Sequence, residues 1–274
     1  MRFHDLHTID EFRQVMDLEK RIWGYTDAED LVTVPIFVIT VKRGGILVGA
    51  FDDEGRMAGF VYSLPAHRDG RPTQWSHMLG VLEGDRNTGL GYQLKLEQRR
   101  RAIAAGCALV EWTYDPLQAL NAHLNFTKLG VVVEEYAENV YGESSSVLHR
   151  GTPTDRFIAE WWIADPTVEA RLAGTEAAPR PPRLADAPLA NVTGSRGRWL
   201  ACAHVDLSRH EPRIRIEIPI GFTEMQMEEP ALAREWRDAT RTLFTTYFAR
   251  GYRAVGFSLS RDEGCGRYLL EREP

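Results

Sequence analysis

The apolar positions of this chain change period several times, and each change marks an element. Ile9, Phe12, Val15, Met16 and Ile22 recur at helical spacing behind Thr8, and Thr8 with Glu11 has the S/T-x-x-E spacing of a capping box, so a helix is expected from residue 9. "ILVGAFDDEGRMAGFVYSL" is two apolar runs around Asp52, Asp53, Glu54 and Gly55, the pattern of a hairpin. "TQWSHMLGV" reads as a third strand and runs into "GDRNTGLGYQL". From Leu90 a helix carrying Leu94, Leu96 and Ile103 is expected to stop at Gly106. "CALVEWTYD" reads as a strand, "PLQALNAHLNFTKLG" as a helix with Pro116 in its first turn and Gly130 at its end, and "VVVEEYAENVYG" and "DRFIAEWWI" as strands.

Residues 174–198 break this alternation. They are rich in Pro, Ala and Gly and show no hydrophobic period, which predicts a linker or a long surface excursion and divides the chain into a domain at 1–173 and a smaller αβ unit at 199–274. In the second unit Leu232, Trp236, Ala239, Leu243 and Tyr247 define a helix from Pro230 to Gly251, with strands "WLACAHVDL" and "RIRIEIPIGF" before it and "RGYRAVGFSLS" after it. Laying Gly251 over Gly106 and Val255 over Val110 leaves two readings open, a degenerate copy of residues 73–114 and an unrelated αβ extension; only the copy predicts the same strand order. The loop ahead of that helix, "GFTEMQMEEP", carries Glu224, Glu228 and Glu229, which repel an anion.

Composition removes several classes. The chain has 274 residues, 43% of them hydrophobic, enough for a sizeable core. A net charge of −6 argues against nucleic acid as a partner, and no apolar run approaches the roughly 18 residues of a membrane span. "MRFHDLHTID" lacks the apolar centre of a signal peptide, and Cys107, Cys202 and Cys265 lie far apart, so a reducing cytoplasm is the expected location. His4, His7, His67, His123 and His210 have no metal-ligand spacing, and no metal is expected. "FIAEWWI" is apolar enough to suggest docking on the second unit or in a homodimer.

The candidate chemistry lies at Gly89 and Gly91. A dinucleotide fingerprint fails because Leu94 stands at the third glycine, and a P-loop fails because no Lys-Ser or Lys-Thr follows. A pyrophosphate cradle at a helix N-terminus and a plain glycine turn stay open on the loop alone.

"RNTGLG", with "HMLGV" before it and "CALVEWTYD" and "LNFTKLG" after it, resembles the acyl-CoA-binding core of the GNAT N-acetyltransferases over about residues 1–150. The resemblance implies an α/β fold with a mixed, mostly antiparallel sheet flanked by helices, and transfer of an acyl group from acetyl-CoA or another acyl-CoA to a small amine. It implies that Arg86, Asn87, Thr88, Gly89, Leu90, Gly91 and Tyr92 hold the coenzyme pyrophosphate, that Val81 pairs with the pantetheine arm, and that the Leu79 amide holds the thioester oxygen. His77 sits where the arylalkylamine acetyltransferases carry a histidine, which makes it the candidate general base; counted from Val81, it falls on the same strand face. The family's tyrosine acid is replaced by Phe126, so Tyr141 or Tyr114 would have to substitute. Its asparagine position holds Ala119, and Asn121 two residues on is the candidate in its place. Asp27, Glu29 and Asp30 are candidates to attract a cationic acceptor, and "QRRRA" at Arg99 to Arg101 reads as a solvated face. A coenzyme-binding module without turnover, and a scaffold that only keeps the fold, remain the alternatives.

Overall fold

The computed structural model describes residues 1–25, 27–142, 152–174 and 187–272. They form two compact units, the first made of Met1–Trp112 with Trp162–Asp165. In it run β1 (Arg2–Asp5), α1 (Ile9–Trp23), α2 (Val34–Lys42), β2 (Ile46–Phe51), β3 (Met57–Arg68), β4 (Arg71–Val81), α3 (Leu90–Ala104) and β5 (Leu109–Tyr114), whose last two residues belong to the second unit. The sheet order is β1-β2-β3-β4-β5, antiparallel except for the β4–β5 pair.

α1 starts where the capping box puts it. The Glu11 N–H donates to Thr8 Oγ1 (3.3 Å), the Thr8 N–H donates to Glu11 Oε2 (2.9 Å), and Gly24 closes the helix in the left-handed region. α1 and α2 bury Phe12, Val15 and Phe37 against Phe60, Tyr62 and Met78 of the sheet. The sequence pattern did not predict α2, because "VPIFVITVK" is apolar on nearly every position and so has no 3.6-residue period. It also missed β1, a short, mostly exposed edge strand. The Arg99 to Arg101 run is not a plain solvated face. Arg99 Nε donates to the Ile163 carbonyl (2.8 Å), and Arg101 pairs with Glu97 on its own helix and with Asp5 on β1, tying the end of α3 to the sheet edge.

The second unit runs from Thr113. It holds α4 (Ala119–Ala122), continued by a π-helical stretch at His123–Leu129, then β6 (Val132–Ala137), β7 (Arg156–Trp162), α5 (Pro166–Ala173), β8 (Asn191–Arg196), β9 (Trp199–Val205), β10 (Arg213–Pro219), α6 (Phe222–Glu228), α7 (Pro230–Ala249), β11 (Tyr252–Ser260) and β12 (Cys265–Arg272). Its sheet order is β7-β6-β11-β12-β10, with β8 and β9 as a separate hairpin.

Three expectations change here. The division falls after Trp112 and not at 174–198, since β6 and β7, which precede that stretch, share a sheet with β11; of the linker itself, 175–186 lie outside the described residues, and 191–196 form β8. The expected copy of residues 73–114 fails on strand order: β4 pairs directly with β5, whereas β12 lies between β10 and β11 and is antiparallel to both. The segment expected as an acidic loop is the helix α6. "FIAEWWI" is used inside the chain, with Phe157, Ala159, Trp161 and Ile163 fully buried and Trp162 alone of its large side chains exposed.

α7 is clamped by two arginines one turn apart. Arg237 donates to both oxygens of Asp115 (2.8 and 2.6 Å), and Arg241 to both oxygens of Asp155 (2.9 and 2.8 Å), which also receives the Tyr136 hydroxyl. Arg237 and Asp115 are buried. Burial alone would lift the Asp115 pKa; the guanidinium and its hydrogen bonds outweigh that and hold it below the usual carboxylate value. Arg237→Met should therefore leave an unpaired buried carboxylate and cost about 3–5 kcal/mol in urea unfolding at pH 7. Because the native pKa is depressed, the pair's contribution is present above about pH 4 and fades as the pH falls, so the gap between variant and parent should narrow in acid.

Candidate functional site

The loop between β4 and α3 contains a one-turn 3₁₀ segment at Glu83–Asp85 and then two left-handed residues, Asn87 (φ 62°) and Gly89 (φ 87°). Asn tolerates that region better than most residues, and Gly89 occupies it without strain. Gly89 caps α3 with no side-chain bond, and the first intrahelical bond runs from the Gln93 N–H to the Gly89 carbonyl (3.1 Å). The amides of Leu90, Gly91 and Tyr92 are thus among the orphan donors of a helix start, at its positive dipole end. Residues 86–89 are exposed, and the first turn of α3 carries no acid. Gly91 has a different reason from Gly89: a Cβ there would meet only Leu79 and Val81 at an ordinary 3.9 Å, so the chain has room for alanine at this position. The arrangement can receive an anion along its backbone.

β4 brings its own free groups to the same place. The Leu82 N–H donates to the Ala58 carbonyl (2.9 Å), which makes 58/82 a hydrogen-bonded pair and, by alternation, 59/81 and 61/79 non-bonded ones. The backbone groups of Leu79 and Val81 therefore point away from β3, toward the edge shared with β5. Pairing with β5 is registered only at Gln74–Val110 and Trp75–Glu111 among the described residues. The Val81 carbonyl accepts from Arg86 Nε (3.3 Å), and the Leu79 and Val81 N–H groups point outward on the same edge.

His77 sits at an irregularity. The β3–β4 register passes from Tyr62–Met78 to Ser63–Ser76, so His77 is the extra residue of a β-bulge. The bulge breaks the two-residue alternation that placed His77 on the face of Val81. Its ring instead stands edge-on to Tyr62 at 6.1 Å, and Tyr62 belongs to the core under α1 and α2. The imidazole is reachable from solvent yet surrounded by protein, and desolvation lowers its pKa, keeping it neutral and able to accept a proton.

Glu19 was not singled out by the sequence reading. It lies on the inward stripe of α1, four residues after Val15 and seven after Phe12, and a charge on an apolar stripe was the available signal. It is fully buried; Oε2 accepts the Val32 N–H (3.0 Å), while Oε1 has no hydrogen-bond partner. Desolvation pushes its pKa up to about 8 despite the Val32 bond and the nearby Lys20 charge, and its charge is felt at the Tyr62 hydroxyl, which donates to Thr40 Oγ1 (2.8 Å).

The remaining candidates are less apt. Phe126 is buried against Tyr268 (ring centroids 5.6 Å apart). Tyr114 is packed against Phe157, and burial raises its phenol pKa well above the usual value, which suits it poorly as an acid. Tyr141 is exposed in the second unit, its hydroxyl 2.7 Å from Thr113 Oγ1, and Asn121 is exposed on α4. Asp27 and Glu29 are exposed at a 3₁₀ turn after α1. A cavity of about 520 Å³ lies beside the loop, lined by Arg21, Arg56, Leu82, Glu83, Gly84 and Asp85; it includes none of residues 86–92, and Arg56 is already paired with Asp52 and Asp85. Among the described residues no group of His, Cys, Asp and Glu is placed to hold a metal, and no helix is long and apolar enough to cross a membrane.

No family model matches the chain, and no curated protein matches it in sequence. Solved structures similar to it are GNAT acetyltransferases. The ribosomal-protein-S18-alanine N-acetyltransferase from Escherichia coli is 16% identical over 60% of this chain and 94% of its own, with a TM-score of 0.48. The aminoglycoside 6'-N-acetyltransferase from Enterococcus faecium is 17% identical over 60% and 98%, with a TM-score of 0.45. An acetyltransferase of the GNAT family from Streptococcus pneumoniae is 18% identical over 58% and 97%, with a TM-score of 0.47.

The burial of Glu19 sets a pH dependence. Its native pKa is raised, so the folded state bears no penalty below the unfolded value near pH 4.5, and loses stability as the pH climbs toward about 8. Glu19→Gln should be more stable than the parent at pH 7, by up to about 3 kcal/mol. Thermal melts at several pH values should show that advantage shrinking toward pH 4.5.

Proposed function

We propose that the first unit binds an acyl-CoA along residues 86–92 and the outer edge of β4, and transfers the acyl group to an amine. The observation that carries this reading is the meeting of an uncapped, glycine-opened helix start with the outward Leu79 and Val81 amides at the end of β4. An anion at the first, a thioester oxygen at the second and an extended arm between them is the chemistry of a coenzyme A thioester. The glycines fit the group: among the described residues nothing beyond the chain neighbours lies within 4 Å of a Cβ at Gly89, so that side of the loop is open.

In this reading the Arg86 to Tyr92 amides hold the pyrophosphate, and the Val81 N–H fixes the pantetheine arm. The Leu79 N–H donates to the thioester oxygen as negative charge gathers there. His77 takes the proton of the attacking ammonium; the new C–N bond forms at the carbonyl carbon, the C–S bond breaks, and the electron pair leaves on sulfur. No tyrosine stands at the Phe126 position to protonate that sulfur, so solvent supplies the proton. The substitution also favours a second reading, a coenzyme-binding module without turnover. An acyl-CoA assay with an amine panel, following thiol release, separates the two.

Gly89→Asp tests the cradle. Aspartate tolerates the left-handed region, so the fold should survive, but its carboxylate would stand where the anion sits. Calorimetry should show coenzyme A affinity lost in Gly89→Asp and kept in Gly91→Ala, which has room for its methyl group. Unchanged affinity in a folded Gly89→Asp protein would place the site elsewhere.

The pH profile identifies the base. With His77 in that role, kcat/KM rises through an apparent pKa below the ordinary histidine value, and His77→Gln removes this limb and about 10²-fold of rate. A limb near pH 8 that survives His77→Gln and disappears in Glu19→Gln would transfer the role to Glu19.

A further inference from the structure

Beneath the β4 bulge lies a buried polar cluster that the chemistry above does not use. Lys95, on the fourth to sixth residues' turn of α3, is buried; its Nζ donates to Ser76 Oγ (2.9 Å) and to Gln98 Oε1 (3.0 Å) and lies 3.6 Å from the centre of the Trp112 ring. Gln98, buried one turn on, donates from Nε2 to Ser76 Oγ (2.8 Å) and to Ser63 Oγ (2.5 Å). No carboxylate pairs with Lys95 among the described residues, and burial drives its pKa well below the usual lysine value. A methionine would fill this space more cheaply, since buried polar groups of this kind seldom add stability over well-packed apolar ones.

What the cluster grips is informative. Ser63 and Ser76 are the cross-strand pair at which the β3–β4 register resumes after the bulge, and Ser76 directly precedes His77. A bulge has no strong side-chain preference of its own, and a shift by one residue would turn every side chain beyond it to the other face. A shifted register would set Trp75 or His77 against Gln98 and leave both α3 polar groups unsatisfied in a dry interior, which is costly. We infer that Lys95 and Gln98 are positioning residues: through Ser76 and Ser63 they pin the bulge, and with it the His77 ring and the outward Leu79 amide, to the helix whose first turn forms the cradle. The inference rests on the acyl-transfer reading for its consequence in catalysis. The pinning itself stands on the hydrogen bonds above.

Lys95→Met tests it, with Lys95→Gln as the variant that keeps a donor toward Ser76. In Lys95→Met the melting temperature should hold or rise, coenzyme A affinity should change by less than about 3-fold because the cradle amides are untouched, and kcat should fall at least about 10-fold; Lys95→Gln should recover part of the rate. Hydrogen exchange of the Met78 and Gly80 amides, which face β3, should accelerate at least about 10-fold in Lys95→Met while amides in β2 stay protected. A lower melting temperature with unchanged kcat per folded molecule and unchanged exchange would reduce the cluster to a structural contact and overturn the inference. If the parent binds coenzyme A yet turns over no amine, the catalytic reading fails, and the exchange at Met78 and Gly80 still decides whether Lys95 pins the bulge.

Discussion

The candidate site depends on β4 being hydrogen-bonded along one edge only over its last residues. Antiparallel pairing with β3 fixes the strand to Val81, while parallel pairing with β5 is registered at Gln74 and Trp75. A strand with one free edge normally invites another strand. Here the free groups are few, they lead directly into the glycine loop, and they end beside a helix start whose amides also lack partners. Two sets of backbone donors lie adjacent in the chain, one along the outward edge of β4 and one at the start of α3. A ligand with an extended arm and an anionic group meets both needs at once.

The protein buries charges in contrasting ways. Asp115 gains a bidentate arginine and stays ionised. Glu19 gains one backbone N–H and is pushed toward the neutral acid, and Lys95 gains only neutral partners and an aromatic face and is pushed toward the neutral amine. The difference follows from one balance: desolvation acts on all three, and only the first has a hydrogen-bonded opposite charge to set against it. The first group holds a helix in place. The other two flank β4, Glu19 from α1 and Lys95 from α3.

The second unit shows what the same kind of strand and helix does without a cradle. α7 begins at Pro230 behind α6, with Glu228 and Glu229 just ahead of its first turn in the chain. The strand before it, β10, pairs with β12 and not with β11. Its two inward arginines serve packing.

Sequence alone determined the elements whose signals are local. The capping box at Thr8 and Glu11, the Asp52 to Gly55 turn, the glycine-opened start of α3 and the long amphipathic α7 were all legible, because caps, turns and a 3.6-residue period are decided within a few residues of chain. The strand that carries Leu79 and Val81 was legible as well. Tertiary structure decided the rest. α2 is apolar all round and declares itself only once packed; the order β11-β12-β10 depends on pairings between distant segments; the bulge that turns His77 toward Tyr62 is a register event between two strands; and the environments that neutralise Glu19 and Lys95 exist only when α1 and α3 lie against the sheet. A charge on an apolar stripe can be seen in the sequence, but its pKa is set by what surrounds it, and that is assembled only in the folded chain.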